Sequence, residues 1–199
     1  MHLNLTPPPT KDTRLLAIGL AVGAAFLLTF AAFSRTWIAR PDSIGFGPMG
    51  CHACNLASGG EGSMSNGAFV EMLRDTMGAE GMQHSSNAFA PMGWATFGLC
   101  LLAAVGLLAG AGLAFAKKRL DLPVAPTSIA LLAIMVGLIT ACVFVATKPG
   151  GPGFVGVSLG FWAFGGGAVM GIAAAQMLAK LLRPVDPDLL DDAMNPDNY

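Results

Sequence analysis

Residues 15–33 read LLAIGLAVGAAFLLTFAAF, nineteen positions without one charged side chain. A helix rises about 1.5 Å per residue, so this stretch is about 28 Å long, close to the roughly 30 Å hydrocarbon core of a bilayer. Three further stretches, at 93–116, 127–147 and 154–179, also lack Asp, Glu, Lys, Arg and His. Only 12% of the 199 residues are charged and 54% are hydrophobic, with a mean hydropathy of +0.62. Soluble domains carry about twice that charged fraction. The sequence therefore predicts an all-α membrane protein, a four-transmembrane-helix bundle with a large first outer loop. Its net charge of −1 offers no basic surface to nucleic acid.

Around these spans the chain divides into an N-terminal segment 1–14, an outer loop 34–92, an inner loop 117–126, an outer turn 148–153 and an acidic tail 180–199. Lys11, Arg14, Lys117, Lys118, Arg119, Lys180 and Arg183 share one side, whereas Arg35, Arg40, Arg74 and Lys148 lie on the other. That excess predicts cytoplasmic termini. Ala32-Phe33-Ser34 has the small-x-small form of a signal-peptidase site. The apolar run before it exceeds the roughly 7–15 residues of a signal sequence, so the first span is expected to stay. Abundant Ala and Gly fit a high-GC bacterium, which makes a bacterial inner membrane the expected location. Trp37 and Trp94, at the outer ends of the first two spans, are expected to anchor at the lipid interface.

Within the outer loop, Phe69, Met72, Leu73 and Met77 recur at helical spacing, which predicts a short amphipathic helix over 66–77 capped by Ser65 or Asn66. β-branched residues are sparse, so the residues themselves predict no sheet. Ser58–Ser63 reads as a flexible connection and the Asp-rich stretch after Pro184 as a disordered tail.

Small residues recur four apart as Gly19/Gly23, Gly106/Gly110, Gly156/Gly160 and Gly167/Gly171. Such spacing brings helix backbones close in a solvent that offers no hydrophobic push. Packing inside the bundle is the first expectation, and a face for partner subunits or a homo-oligomer the second. The spans hold no carboxylate, histidine or basic group to carry a proton or ion. His2, His52 and His84 all lie outside them, which excludes a bis-histidine haem in the bundle. Cys100 and Cys142, within the spans, read as small hydrophobes.

Cys51-His52-Ala53-Cys54 is the most chemical feature of the chain. Asn55 rather than His follows Cys54, so the motif is no haem-c attachment site. A structural disulfide, a redox-active dithiol and a soft-metal site all remain open. Cys51, His52, Cys54 and Met49 would be the ligands in the last case, with Cu(I) suited to the methionine-rich loop. No cofactor is otherwise implied.

The four-helix plan with a large first outer loop, together with Trp37, Gly47-Pro48-Met49-Gly50-Cys51 and Cys54, resembles the claudin and peripheral-myelin-protein type of tetraspan. Gly156-Val157-Ser158-Leu159-Gly160-Phe161-Trp162 resembles the opening of that family's fourth helix. The loop departs from that family in lacking the β-rich sequence its extracellular sheet needs, in missing the second Trp of its motif, and in the closer spacing of its cysteines. The Cys51–Cys54 pair also resembles the first-loop dithiol of the DsbB-like quinone-linked thiol oxidases. That family's second pair has no counterpart in Lys148–Gly153, so the first resemblance is preferred. By elimination, the sequence favours a non-enzymatic accessory, scaffold or assembly subunit within the bilayer. The alternative is a periplasmic thiol-redox or copper-handling protein built on the cysteine loop.

Overall fold

The structure, a computed structural model, describes residues 11–39, 44–54, 62–82, 86–117, 125–149 and 156–182. Helices α1 (Lys11–Phe33), α3 (Phe89–Phe115), α4 (Pro126–Ala146) and α5 (Leu159–Leu182) are each long and apolar enough to cross a membrane. Large side chains turn outward: Phe26, Val105, Leu132, Ile139 and Val169 are each more than 60% exposed. On α1 the inward face is made mostly of small residues, with Ala17, Ala21, Ala24, Ala31 and Ala32 buried beside Leu28. Dispersion between closely spaced backbones is the force left to a bundle whose outer surface is satisfied by lipid. The chain is a multi-pass integral membrane protein.

The glycines show how that closeness is reached. A Cβ on Gly106 would stand 2.9 Å from the Pro126 carbonyl oxygen, and one on Gly110 would stand 3.0 Å from Thr127 Cγ2, so α3 lies directly against α4. Gly167 meets Leu27 and Leu28, and Gly171 meets Ile134 and Leu107, which seats α5 against α1 and the centre of the bundle. A Cβ on Gly23 would come 2.9 Å from the Met170 side-chain tip. Gly19 instead points into open space. Gly156 lies before α5 with φ 79°, so the spacing to Gly160 marks no helix face. Between α3 and α4, Thr96 Oγ1 donates to Thr140 Oγ1 at 3.0 Å, a polar tie inside the apolar layer.

The outer loop departs from the all-α expectation. Strands β1 (Ile38–Ala39), β2 (Gly45–Phe46), β3 (Gly50–His52) and β4 (Ser63–Ser65) form an antiparallel four-stranded sheet in sequence order. No strand exceeds three residues and none carries the alternation that marks a strand in sequence. Backbone hydrogen bonds and bare glycine surfaces hold the sheet, rather than β propensity. Gly47 and Gly50 exchange amide-to-carbonyl bonds around Pro48-Met49, closing the β2–β3 hairpin. A Cβ on Gly47 would fall on the Ser34 carbonyl, and one on Gly50 on the Met64 carbonyl.

Helix α2 (Asn66–Met82) follows the sheet, with a break at Gly78, where φ is 58°. Ser65 Oγ accepts the Ala68 amide and caps it. The segment predicted to open the last span is not helical over 156–158: Val157 bridges antiparallel to Ile38, and the Ser158 amide donates to the Trp37 carbonyl at 2.8 Å. The helix begins only at Leu159. The two outer segments thus form one cap on one end of the bundle. Of the connection expected over Ser58–Ser63, residues 58–61 lie outside the described residues, as do most of the inner loop and the tail past Leu182, whereas Ser63 opens β4.

Candidate functional site

The cap is anchored to the bundle by aromatic rings. Trp37 is fully buried, so it is a core residue rather than the interface anchor that its place near a helix end suggests. Its indole Nε1 donates to the Ala31 carbonyl at 2.7 Å. Its ring lies 5.0 Å from Phe164, 5.9 Å from Phe161 and 6.1 Å from Phe144. Phe144 stacks on Phe89 at 4.7 Å, Phe89 meets Phe46 at 5.7 Å, and Phe46 meets Phe69 of α2 at 5.0 Å. A chain of rings therefore runs from helices α4 and α5 to the sheet. Trp94, 49% exposed on α3, faces outward.

Cys51 sits at the end of that chain. On β3 it pairs with Phe46 on one side and Met64 on the other. Directly opposed residues share a face, so Cys51 lies on the side of the sheet that Phe46 turns toward α2 and α3. Cys51 and Cys54 are joined as a disulfide with their Cα atoms 5.9 Å apart, and both are fully buried. His52, between them on the opposite face, is exposed. The chain reaches Cys54 through Ala53, whose φ of 55° lies in the left-handed region. Beyond the last ladder pair, His52 with Ser63, the Cys54 amide donates to the Gly62 carbonyl at 3.4 Å.

Met64, one of the loop's methionines, and Asn66, expected only as a helix cap, complete the surroundings. Met64 places its carbonyl oxygen 3.7 Å from Cys51 Sγ. Asn66, fully buried, donates from Nδ2 to the carbonyls of Gly47 at 2.9 Å and Pro48 at 3.1 Å, pinning the hairpin that presents β3. A buried side chain placed at the start of a helix reads in sequence only as a cap.

The soft-ligand set is dispersed in this form. Met49 is half-buried in the hairpin loop and His52 lies on the far face of the sheet. Each cysteine sulfur is bonded to the other, so the pair would have to be reduced before its thiolates met a metal. His2 and His84 lie outside the described residues. Cys100 is buried in α3, whereas Cys142 is exposed on α4 and faces outward from the bundle.

Comparison with family models, with curated proteins and with solved structures returns no match. Function therefore rests on the site. The expectation of a non-enzymatic accessory or scaffold is corrected by the Cys51–Cys54 disulfide. A disulfide stabilises mainly by closing a loop, and a ring of four residues is worth about 2 kcal/mol, against about 3 kcal/mol for fifteen. This one joins β3 only to its own exit turn and staples no two elements. Its form suits thiol chemistry better than reinforcement.

Proposed function

We propose that the chain is a membrane-embedded thiol–disulfide exchange protein whose Cys51–Cys54 pair passes between disulfide and dithiol. The observation that carries this reading is the disulfide formed across a two-residue spacing within a small cap. The cap lies on the oxidising side of a bacterial inner membrane and both termini lie in the cytoplasm. The seven-to-four distribution of Lys and Arg supports that orientation. The chemistry is drawn from the cysteines alone. The partner is a protein thiol or disulfide that approaches the cap from the aqueous side.

The test is a redox titration of the full chain in lipid nanodiscs, equilibrated with dithiothreitol buffers and quenched with a maleimide. Label on the 51–54 peptide is read by mass, which separates it from Cys100 and Cys142. A reversible two-electron transition above about −300 mV is expected, since structural disulfides fall below that value. A pair that stays oxidised below about −300 mV while the protein remains folded would refute the proposal.

A further inference from the structure

The two cysteines are not equivalent, and the difference assigns them separate roles. This inference rests on the exchange reading above. Cys51 is held within the sheet, paired with Phe46 of β2 and with Met64 of β4. Cys54 lies past the end of the ladder, with the single 3.4 Å bond from its amide to Gly62 as its tie to β4 among the described backbone bonds. Between them stands Ala53, whose left-handed backbone is disfavoured for any residue with a Cβ. Both sulfurs are fully buried in the disulfide form, so a partner reaches either one only after movement; rotation about Ala53 releases Cys54 without breaking a ladder pair and relieves that conformation. Comparable movement of Cys51 requires breaking ladder bonds on both sides of β3.

We infer that Cys54 is the sulfur that meets the partner and Cys51 the sulfur that stays behind. The first cysteine of the motif is thus the resolving residue and the second is the exchanging one. In the oxidising direction, a partner thiolate attacks Cys54 Sγ and forms a mixed disulfide. The Cys51–Cys54 bond breaks, and Cys51 Sγ departs with the electron pair and takes up a proton. The Met64 carbonyl, 3.7 Å from that sulfur, is placed to accept the new S–H. A second thiolate of the partner then attacks the partner's own sulfur in the mixed disulfide. This closes the partner's disulfide and releases Cys54 as thiolate. The partner dithiol loses two electrons and the Cys51–Cys54 pair gains them.

The experiment uses wild-type protein in nanodiscs, reduced with dithiothreitol, desalted and given limiting iodoacetamide. Fragment ions of the loop peptide then report how the alkyl group divides between the two cysteines. Cys54 should carry at least about ten times more label, because the ladder on both sides of β3 holds Cys51 within the sheet. As a second measurement, Cys51→Ser and Cys54→Ser proteins are incubated with glutathione disulfide. The mixed disulfide should form on Cys54 of the first variant well before it forms on Cys51 of the second. Equal labelling, or label concentrated on Cys51 in a pair that reduces normally, overturns this assignment and leaves the exchange reading standing. A pair that dithiothreitol reduces only when the protein unfolds overturns both.

Discussion

Ala53→Gly separates the chemistry of the loop from its packing. Ala53 has φ 55° in the oxidised loop, where a residue with a Cβ pays about 1–2 kcal/mol. Glycine removes that penalty from the disulfide form. In the opened dithiol the penalty is absent already, and glycine there gains about 0.5–1 kcal/mol of extra backbone freedom. With both ranges taken at their midpoints, the difference favours the disulfide by about 0.8 kcal/mol. For a two-electron couple about 30 mV corresponds to 1.4 kcal/mol, so the potential should fall by roughly 10–20 mV. Ala53→Val supplies the opposite sign, because a β-branched side chain tolerates the left-handed region less well than alanine. Its potential should rise. Both are measured in nanodiscs by equilibration with graded dithiothreitol and mass-resolved thiol trapping. Potentials that coincide with wild type within about 5 mV, or a glycine variant that moves upward, would show that Ala53 keeps the same backbone in both redox states. The hinge would then be refuted.

Two further expectations concern the bundle. Trp37→Ala should cost about 3–5 kcal/mol in reversible unfolding, because it empties a fully buried site ringed by Phe144, Phe161 and Phe164. A loss below about 1 kcal/mol would return Trp37 to the lipid interface. Gly106→Val would drive a Cβ to 2.9 Å from the Pro126 carbonyl and should cost about 1–3 kcal/mol, whereas Gly19→Leu, in open space, should stay within about 0.5 kcal/mol. Thermal melts of both variants in one detergent check the contrast, and equal losses would contradict the packing described for α3 and α4.

The spans are legible in the sequence because a missing charge over twenty residues has one dominant physical cause, a hydrocarbon solvent. The helix of the outer loop is legible through Phe69, Met72 and Leu73, which repeat with the helical period. The sheet is not. Gly45-Phe46, Gly50-Cys51-His52 and Ser63-Met64-Ser65 are too short for an alternating pattern, and the decisive contacts are between backbones. Trp37 misleads for a related reason, since a tryptophan at the end of an apolar run is equally suited to a headgroup layer and to a cap that covers it. At the site, the cysteine spacing is visible in the sequence, but its asymmetry is not. Met64 and Gly62 reach the pair only through strand register, across a connection that carries no signal of its own.

The bridge between Ile38 and Val157 bears on how the protein is made. Strand β1 is completed on one edge by β2, soon after the first span has left the ribosome, but its other edge waits for residues 156–158. Those residues appear only after α3 and α4, immediately ahead of α5. Until then the Trp37 carbonyl lacks the Ser158 amide, and the indole lacks Phe161 and Phe164. The cap is therefore sealed as the last helix arrives. A nascent chain stalled before α5 displays an open strand edge and an uncovered tryptophan, the kind of surface by which membrane chaperones and proteases tell unfinished chains from finished ones.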